Sequence, residues 1–223
     1  MNLILSCGVL VGVASLMALA PAGAVDKPTK QEKPGKSASA SKSGKSAKAA
    51  QSGRVTKTGA PHGAAGGYAK ELSLQGIGFK VSCPNKGSVN QVTVVPSGLS
   101  GKNEAVVAEV DGSVMGAEVA DLNGDGSPEI YVYTQSAGSG SYGSVIGYAA
   151  NKNKSLSQVT FPDRGDDAKA SAGYTGHDEF AVVENRLMRR FKVDGGGATR
   201  QIQYRLDAGE AGWILRVDRV SQF

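Results

Sequence analysis

The folded part of this chain predicts an all-β protein, an antiparallel β-sandwich, on three observations. Short runs of β-branched and aromatic residues recur from Leu72 to Val217, and turn-forming Gly, Asn and Asp separate them. No window sustains the apolar period of an amphipathic helix. Strands this short, spaced this evenly, bury one face each against a second sheet.

The strands are read in order. Residues 72–74, 77–81 and 92–95 come first, followed by 105–110 and 114–119, which flank Asp111-Gly112, a dipeptide that predicts a two-residue hairpin. The runs 129–134 and 144–149 frame Gly138-Ser139-Gly140-Ser141-Tyr142-Gly143, a glycine-rich loop carrying a phenol. Residues 144–149 pair with 155–161 across Asn151-Lys152-Asn153-Lys154. Residues 180–183 pair with 187–191 across Glu184-Asn185-Arg186, and 200–206 with 213–217 across a Gly-flanked turn.

The first 66 residues belong to neither sheet. Residues 3–20 are mostly apolar and end in Pro21-Ala22-Gly23-Ala24, a small-residue cleavage pattern, so 1–24 reads as a secretory signal peptide. No Lys or Arg precedes the apolar run, and an uncleaved anchor is the alternative, since roughly 18 apolar residues just span a bilayer. The Ala/Gly-rich exit and the polar tract behind it favour cleavage, with no stable membrane insertion afterwards. Residues 25–66 read as a disordered Lys/Ser/Ala/Gly-rich linker that cannot bury a core.

Charge follows the same boundary. Residues 26–66 hold eight Lys and one Arg against Asp26 and Glu32, a net +7 beside a whole-chain +5, which leaves the domain at 67–223 with −2. The basicity belongs to the linker, and the domain lacks the basic footprint of a nucleic-acid binder. Cys7 lies in the signal peptide, so the exported chain keeps Cys83 alone, which its apolar context marks as a buried structural thiol.

Several motifs point to chemistry only superficially. The glycine spacing at 138–143 matches a dinucleotide fingerprint, but a strand follows where that fingerprint needs a helix N-terminus. No Gly-x-Ser-x-Gly nucleophile elbow occurs. Asp121-Leu122-Asn123-Gly124-Asp125-Gly126 opens like an EF-hand loop, yet its twelfth position is Val132, which cannot ligate. Asp121, Asn123 and Asp125 therefore remain weak Ca²⁺ candidates beside the alternative of a tight polar turn. His177-Asp178-Glu179 lacks a second histidine for zinc and reads as a capped loop. The chain is expected to be no enzyme and to need no cofactor.

A larger pattern spans nearly the whole domain. Leu74-Gln75-Gly76-Ile77, Gly116-Ala117-Glu118-Val119-Ala120-Asp121, Gly126-Ser127-Pro128-Glu129-Ile130-Tyr131-Val132-Tyr133, the loop at 136–143, Gly176-His177-Asp178-Glu179-Phe180, Gln203-Tyr204-Arg205-Leu206 and Gly209-Glu210-Ala211-Gly212-Trp213 occur in that order. Together they resemble the PliI family, bacterial periplasmic inhibitors of invertebrate-type (i-type) lysozyme. The resemblance implies a periplasmic, homodimeric β-sandwich that serves in bacterial defence against host lysozyme. It further implies that a Ser-x-x-Tyr loop, here Ser139 and Tyr142 with Gly140, Ser141 and Gly143, enters the lysozyme cleft. The chain departs from the family pattern at 192–197, where it is shortened. An envelope glycan- or peptidoglycan-binding module using the same loop is the competing reading.

Overall fold

The computed structural model describes residues 66–163 and 166–223. The signal peptide read at 1–24 and the linker read at 25–66 lie outside the described residues, Gly66 excepted. Among the described residues no helix is long and apolar enough to cross a membrane.

Two sheets make the all-β fold that the strand pattern predicts. Strands β1 (Tyr68–Leu74), β2 (Ile77–Cys83), β3 (Val89–Ser97) and β4 (Val106–Asp111) form an antiparallel meander in that order. The second sheet has eight strands: β5 (Ser113–Ala120), β6 (Glu129–Gln135), β7 (Gly143–Asn151), β8 (Ser155–Thr160), β9 (Glu179–Val183), β10 (Arg186–Lys192), β11 (Thr199–Ala208) and β12 (Trp213–Gln222). Their spatial order is β5-β6-β7-β8-β12-β11-β10-β9. Between β8 and β9 lies one short helix, α1 (Ala168–Ser171), whose N-cap Asp167 accepts from the Ala170 amide.

The core is split by β6, whose first six residues are all buried. Alternate residues of a strand point to opposite faces. Ile130 and Val132 therefore pack with Phe79, Val81, Val92 and Val94 between the two sheets. Tyr131 and Tyr133 face the other way, among Leu187, Ile202, Tyr204 and Leu215 inside the curl of the eight-stranded sheet. Each fully buried apolar side chain of this kind stabilises the fold by about 1.5–3 kcal/mol. Cys83 is buried in the first cluster as a free thiol, in keeping with its apolar context.

The curl brings the outer strands β5 and β9 against each other. Glu118 on β5 accepts from Tyr133 Oη at 2.8 Å and from the Val182 amide of β9 at 2.7 Å. One carboxylate thus clasps the two edges, and the sandwich approaches a barrel on that side.

Two expectations need correction. Asp111-Gly112 is not a hairpin, because β4 pairs with β3 while β5 pairs with β6, so the dipeptide marks the corner where the chain passes between sheets. Its conformational demand was legible all the same. Gly112 has φ +93°, and a Cβ there would collide with the Gln135 carbonyl oxygen. The sheet is also not wholly antiparallel. Trp213 and Ile214 of β12 pair in parallel with Val159 and Thr160 of β8. The meander β9-β10-β11-β12 begins at the far edge and returns to β8, which sets that direction.

Candidate functional site

Strands β6 and β7 pair in register from Glu129↔Ala149 to Gln135↔Gly143, so the chain between them, 136–142, projects as a seven-residue loop. The loop closes on itself through local bonds. Ser136 N donates to Tyr142 O at 2.9 Å, Tyr142 N donates to Ser136 Oγ at 2.9 Å, and Ser141 N donates to Gly138 O at 2.9 Å. Ser141 takes a left-handed φ of +44°, a backbone state that non-glycine residues seldom occupy.

The glycines of the loop do not serve left-handed backbone. Gly138, Gly140 and Gly143 all lie outside the left-handed region, and a Cβ on Gly138 would meet nothing within 4 Å. Close packing bears on the other two: a Cβ on Gly143 would lie 2.5 Å from Asp178 Cβ and 2.7 Å from Phe180 Cε2, and one on Gly140 would lie 2.7 Å from the Tyr142 ring.

The segment before β9 braces the loop from outside. His177 N donates to the carbonyls of Gly140 and Ser141, both at 3.2 Å. Gly176, with φ +97°, lies so close to the Gly140 carbonyl that no side chain fits. Gly143 N donates to Asp178 Oδ2 at 2.6 Å, and Tyr174 Oη donates to the same oxygen. Asp178 Oδ1 accepts from Arg189 Nε at 2.6 Å. The Arg189 guanidinium lies 4.6 Å from the centre of the Tyr174 ring, a cation–π arrangement. Tyr174 in turn stands 5.8 Å from the Tyr142 ring. Burial, then the hydrogen bond to Asp178 and its charge, push the Tyr174 hydroxyl up to about 12.

Of the five loop residues that the sequence singled out, Ser139 and Tyr142 are exposed, Tyr142 to 42%, while Gly140 and Ser141 are half-buried and Gly143 is buried. Tyr142 thus exposes part of its ring at the base of the loop, where backbone bonds to Ser136 close it. His177 is exposed and contributes its amide, whereas Asp178, read from sequence as part of a capped loop, is the buried centre of the brace. Gly176 and Arg189 were not anticipated, because their roles depend on contacts made only in three dimensions. The turn at 192–197 backs onto this region, with Asp194 N donating to Gly173 O at 2.8 Å.

The weak Ca²⁺ candidates lie at the other end of β6. Asp121 and Asp125 come together with Glu129, whereas Val132 is fully buried in the core. Asp125 N is shared between Asp121 Oδ1 at 3.0 Å and Asn123 Oδ1 at 3.1 Å. Burial, followed by the charges of Asp121 and Asp125, pushes the Glu129 carboxyl up to about 8. Glu129 was missed because only the twelfth position was tested; an acid at the ninth was the available signal.

The fold and the loop define a class: a β-sandwich that presents a rigid aromatic loop to its surroundings. Within it, residues 81–172 match the PliI family, the periplasmic lysozyme inhibitor of I-type lysozyme. The resemblance read from the sequence is thus borne out over a span that runs from β2 past α1 and includes the 136–142 loop. Strands β9 to β12 lie outside the matched span. No curated protein and no solved structure matches the chain.

Proposed function

We propose that this protein is a periplasmic inhibitor of i-type lysozyme that inserts the 136–142 loop into the enzyme's cleft, with Ser139 and Tyr142 as the contacting side chains. The observation that carries this reading is an exposed tyrosine on a loop whose backbone is already fixed by Asp178 and His177. A fixed loop loses little conformational entropy on binding, and tyrosine supplies a large amphipathic surface with few torsions to order.

The target chemistry suits hydroxyls. A lysozyme cleft carries a general-acid carboxyl and a second carboxylate. Hydroxyl donors can bond to both while offering no glycosidic bond to cleave. On this reading the chain binds an active site and supplies none of its own. Export by the 1–24 segment, the spacing role of the 25–66 linker, the domain assignment at 67–223 and the homodimer implied by the family resemblance belong to the same proposal.

Titration of purified i-type lysozyme with the protein tests it. Stoichiometric loss of lytic activity, with no retention of the protein on lysozyme-free peptidoglycan, is the expected result. Retention on peptidoglycan with lysozyme activity untouched would replace the inhibitor by the glycan-binding reading.

A further inference from the structure

The connection between β5 and β6 brings oxygen-bearing side chains to alternate positions: Asp121, Asn123, Asp125, Ser127 and Glu129. One carboxylate oxygen from each of Asp121, Asp125 and Glu129 lies within 4.8 Å of the other two. Ca²⁺ holds oxygens at about 2.3–2.6 Å, so ligands around one ion stand no more than about 5 Å apart. The cluster has the dimensions of a coordination shell.

An acidic cluster alone carries little weight, but a second observation bears on it. Glu129 is 1% exposed, and its Oε1 is buried with no hydrogen-bond partner. The other oxygen, Oε2, accepts from the Leu122 amide at 2.8 Å. Buried carboxylate oxygens in native proteins are almost always partnered by a donor, a water or a cation. Glu129 thus adds a third carboxylate, with an oxygen unclaimed by the protein, where two others already converge. Asn123 sits beside them, with Nδ2 3.1 Å from Asp125 Oδ2.

We propose that Asp121, Asp125 and Glu129, assisted by Asn123, bind a Ca²⁺ ion. The donor set is all oxygen, which suits a hard cation and not zinc or copper. Gln75, in the turn between β1 and β2, donates to Asp121 Oδ2 at 2.8 Å, and Asn153, between β7 and β8, donates to Gly126 O at 3.1 Å. The ion therefore ties three turns, drawn from both sheets, at one end of the sandwich. It lies at the start of β6, whereas the 136–142 loop follows its end, so Ca²⁺ acts on stability and leaves lysozyme inhibition unchanged.

The test uses the full chain stripped with EDTA. Thermal melting with added CaCl₂ should show a rise of about 3 °C or more at a tenfold excess over the Kd. Tb³⁺ should give luminescence sensitised by Tyr131, whose Oη lies 3.5 Å from Glu129 Oε2, and Ca²⁺ should compete it away. Asp125→Asn, at an exposed position that does not threaten folding, should weaken the Ca²⁺ response at least tenfold, and Glu129→Gln should abolish it. No shift and no terbium signal up to about 10 mM, beyond the range of weak extracellular sites, would overturn the proposal. So would an equal response in Asp125→Asn, or an equal response of the wild-type protein to Mg²⁺.

Discussion

Arg189 and Asp178 form a buried ion pair, Nε to Oδ1 at 2.6 Å, with side chains only 5% and 0% exposed. Its energetic meaning lies in the partner that would remain if one were lost. Breaking a buried pair leaves an uncompensated charge and costs about 3–5 kcal/mol. Asp178→Ala should lower the unfolding free energy by that amount in chemical denaturation. Adding Arg189→Met should recover part of it, because the orphaned charge is then gone. A double variant less stable than the single one by a further full penalty would show that the two residues act independently.

The loop itself should separate binding from stability. Tyr142→Ala is expected to weaken inhibition of i-type lysozyme by more than about 1 kcal/mol, roughly fivefold in the inhibition constant, with an unchanged melting temperature. Ser139→Ala should cost less, about 0.5–1.5 kcal/mol, the net value of one hydrogen bond. Undiminished inhibition in the tyrosine variant would sink the assignment of the loop.

Two glycines in the same region should respond in opposite ways. Gly176→Ala forces a side chain into the Gly140 carbonyl at a φ of +97° and should cost more than about 1 kcal/mol. It should also reduce inhibition, although Gly176 lies outside the loop. Gly138→Ala meets nothing within 4 Å and should leave the melting temperature within about 1 °C of wild type. Paired melting curves and inhibition titrations decide both.

Tyr174 adds a pH dependence at the alkaline end. Its folded-state pKa, about 12, stands above the ordinary value of 10.0, so the neutral phenol is favoured by the fold. That contribution is fully present below pH 10 and is lost as the pH rises through 12. Denaturation profiles should show the stability difference between wild type and Tyr174→Phe shrinking between about pH 10 and pH 12. A constant difference across that window would mean that the hydroxyl titrates no differently in the folded and unfolded states.

Local patterns carried most of the fold. The β9–β10 turn was legible because Glu184 and Asn185 sit where a two-residue hairpin needs left-handed backbone, and the structure gives them φ +49° and +56°. Asp111-Gly112 sends the same local signal, yet it serves a corner between sheets. A turn residue reports its own φ, and the strand on which its neighbours pair is decided by packing far along the chain. The parallel contact of β12 with β8 was hidden for the same reason, joining residues more than fifty positions apart. At the loop, Ser139 and Tyr142 were visible as exposed chemistry. The brace was not, since Asp178 reaches back 35 residues to Gly143 and forward 11 to Arg189. Nor was the need for glycine at 143, where Asp178 and Phe180 occupy the space a side chain would take.

The clasp formed by Glu118 has a bearing on self-association. An open sheet ends in two rows of unpaired amides and carbonyls, each able to template the addition of a further strand. Here β5 and β9 turn toward one another, and the Val182 amide is taken by a carboxylate on the opposite margin. The large sheet is left without a straight free border. Among the described residues the borders that remain are β1 and β4 of the small sheet. Of these, β4 sets Val107, 57% exposed, between the charges of Glu109 and Asp111 and the turn that precedes it. At the β4 margin, like negative charges on neighbouring copies oppose strand-to-strand stacking of molecules.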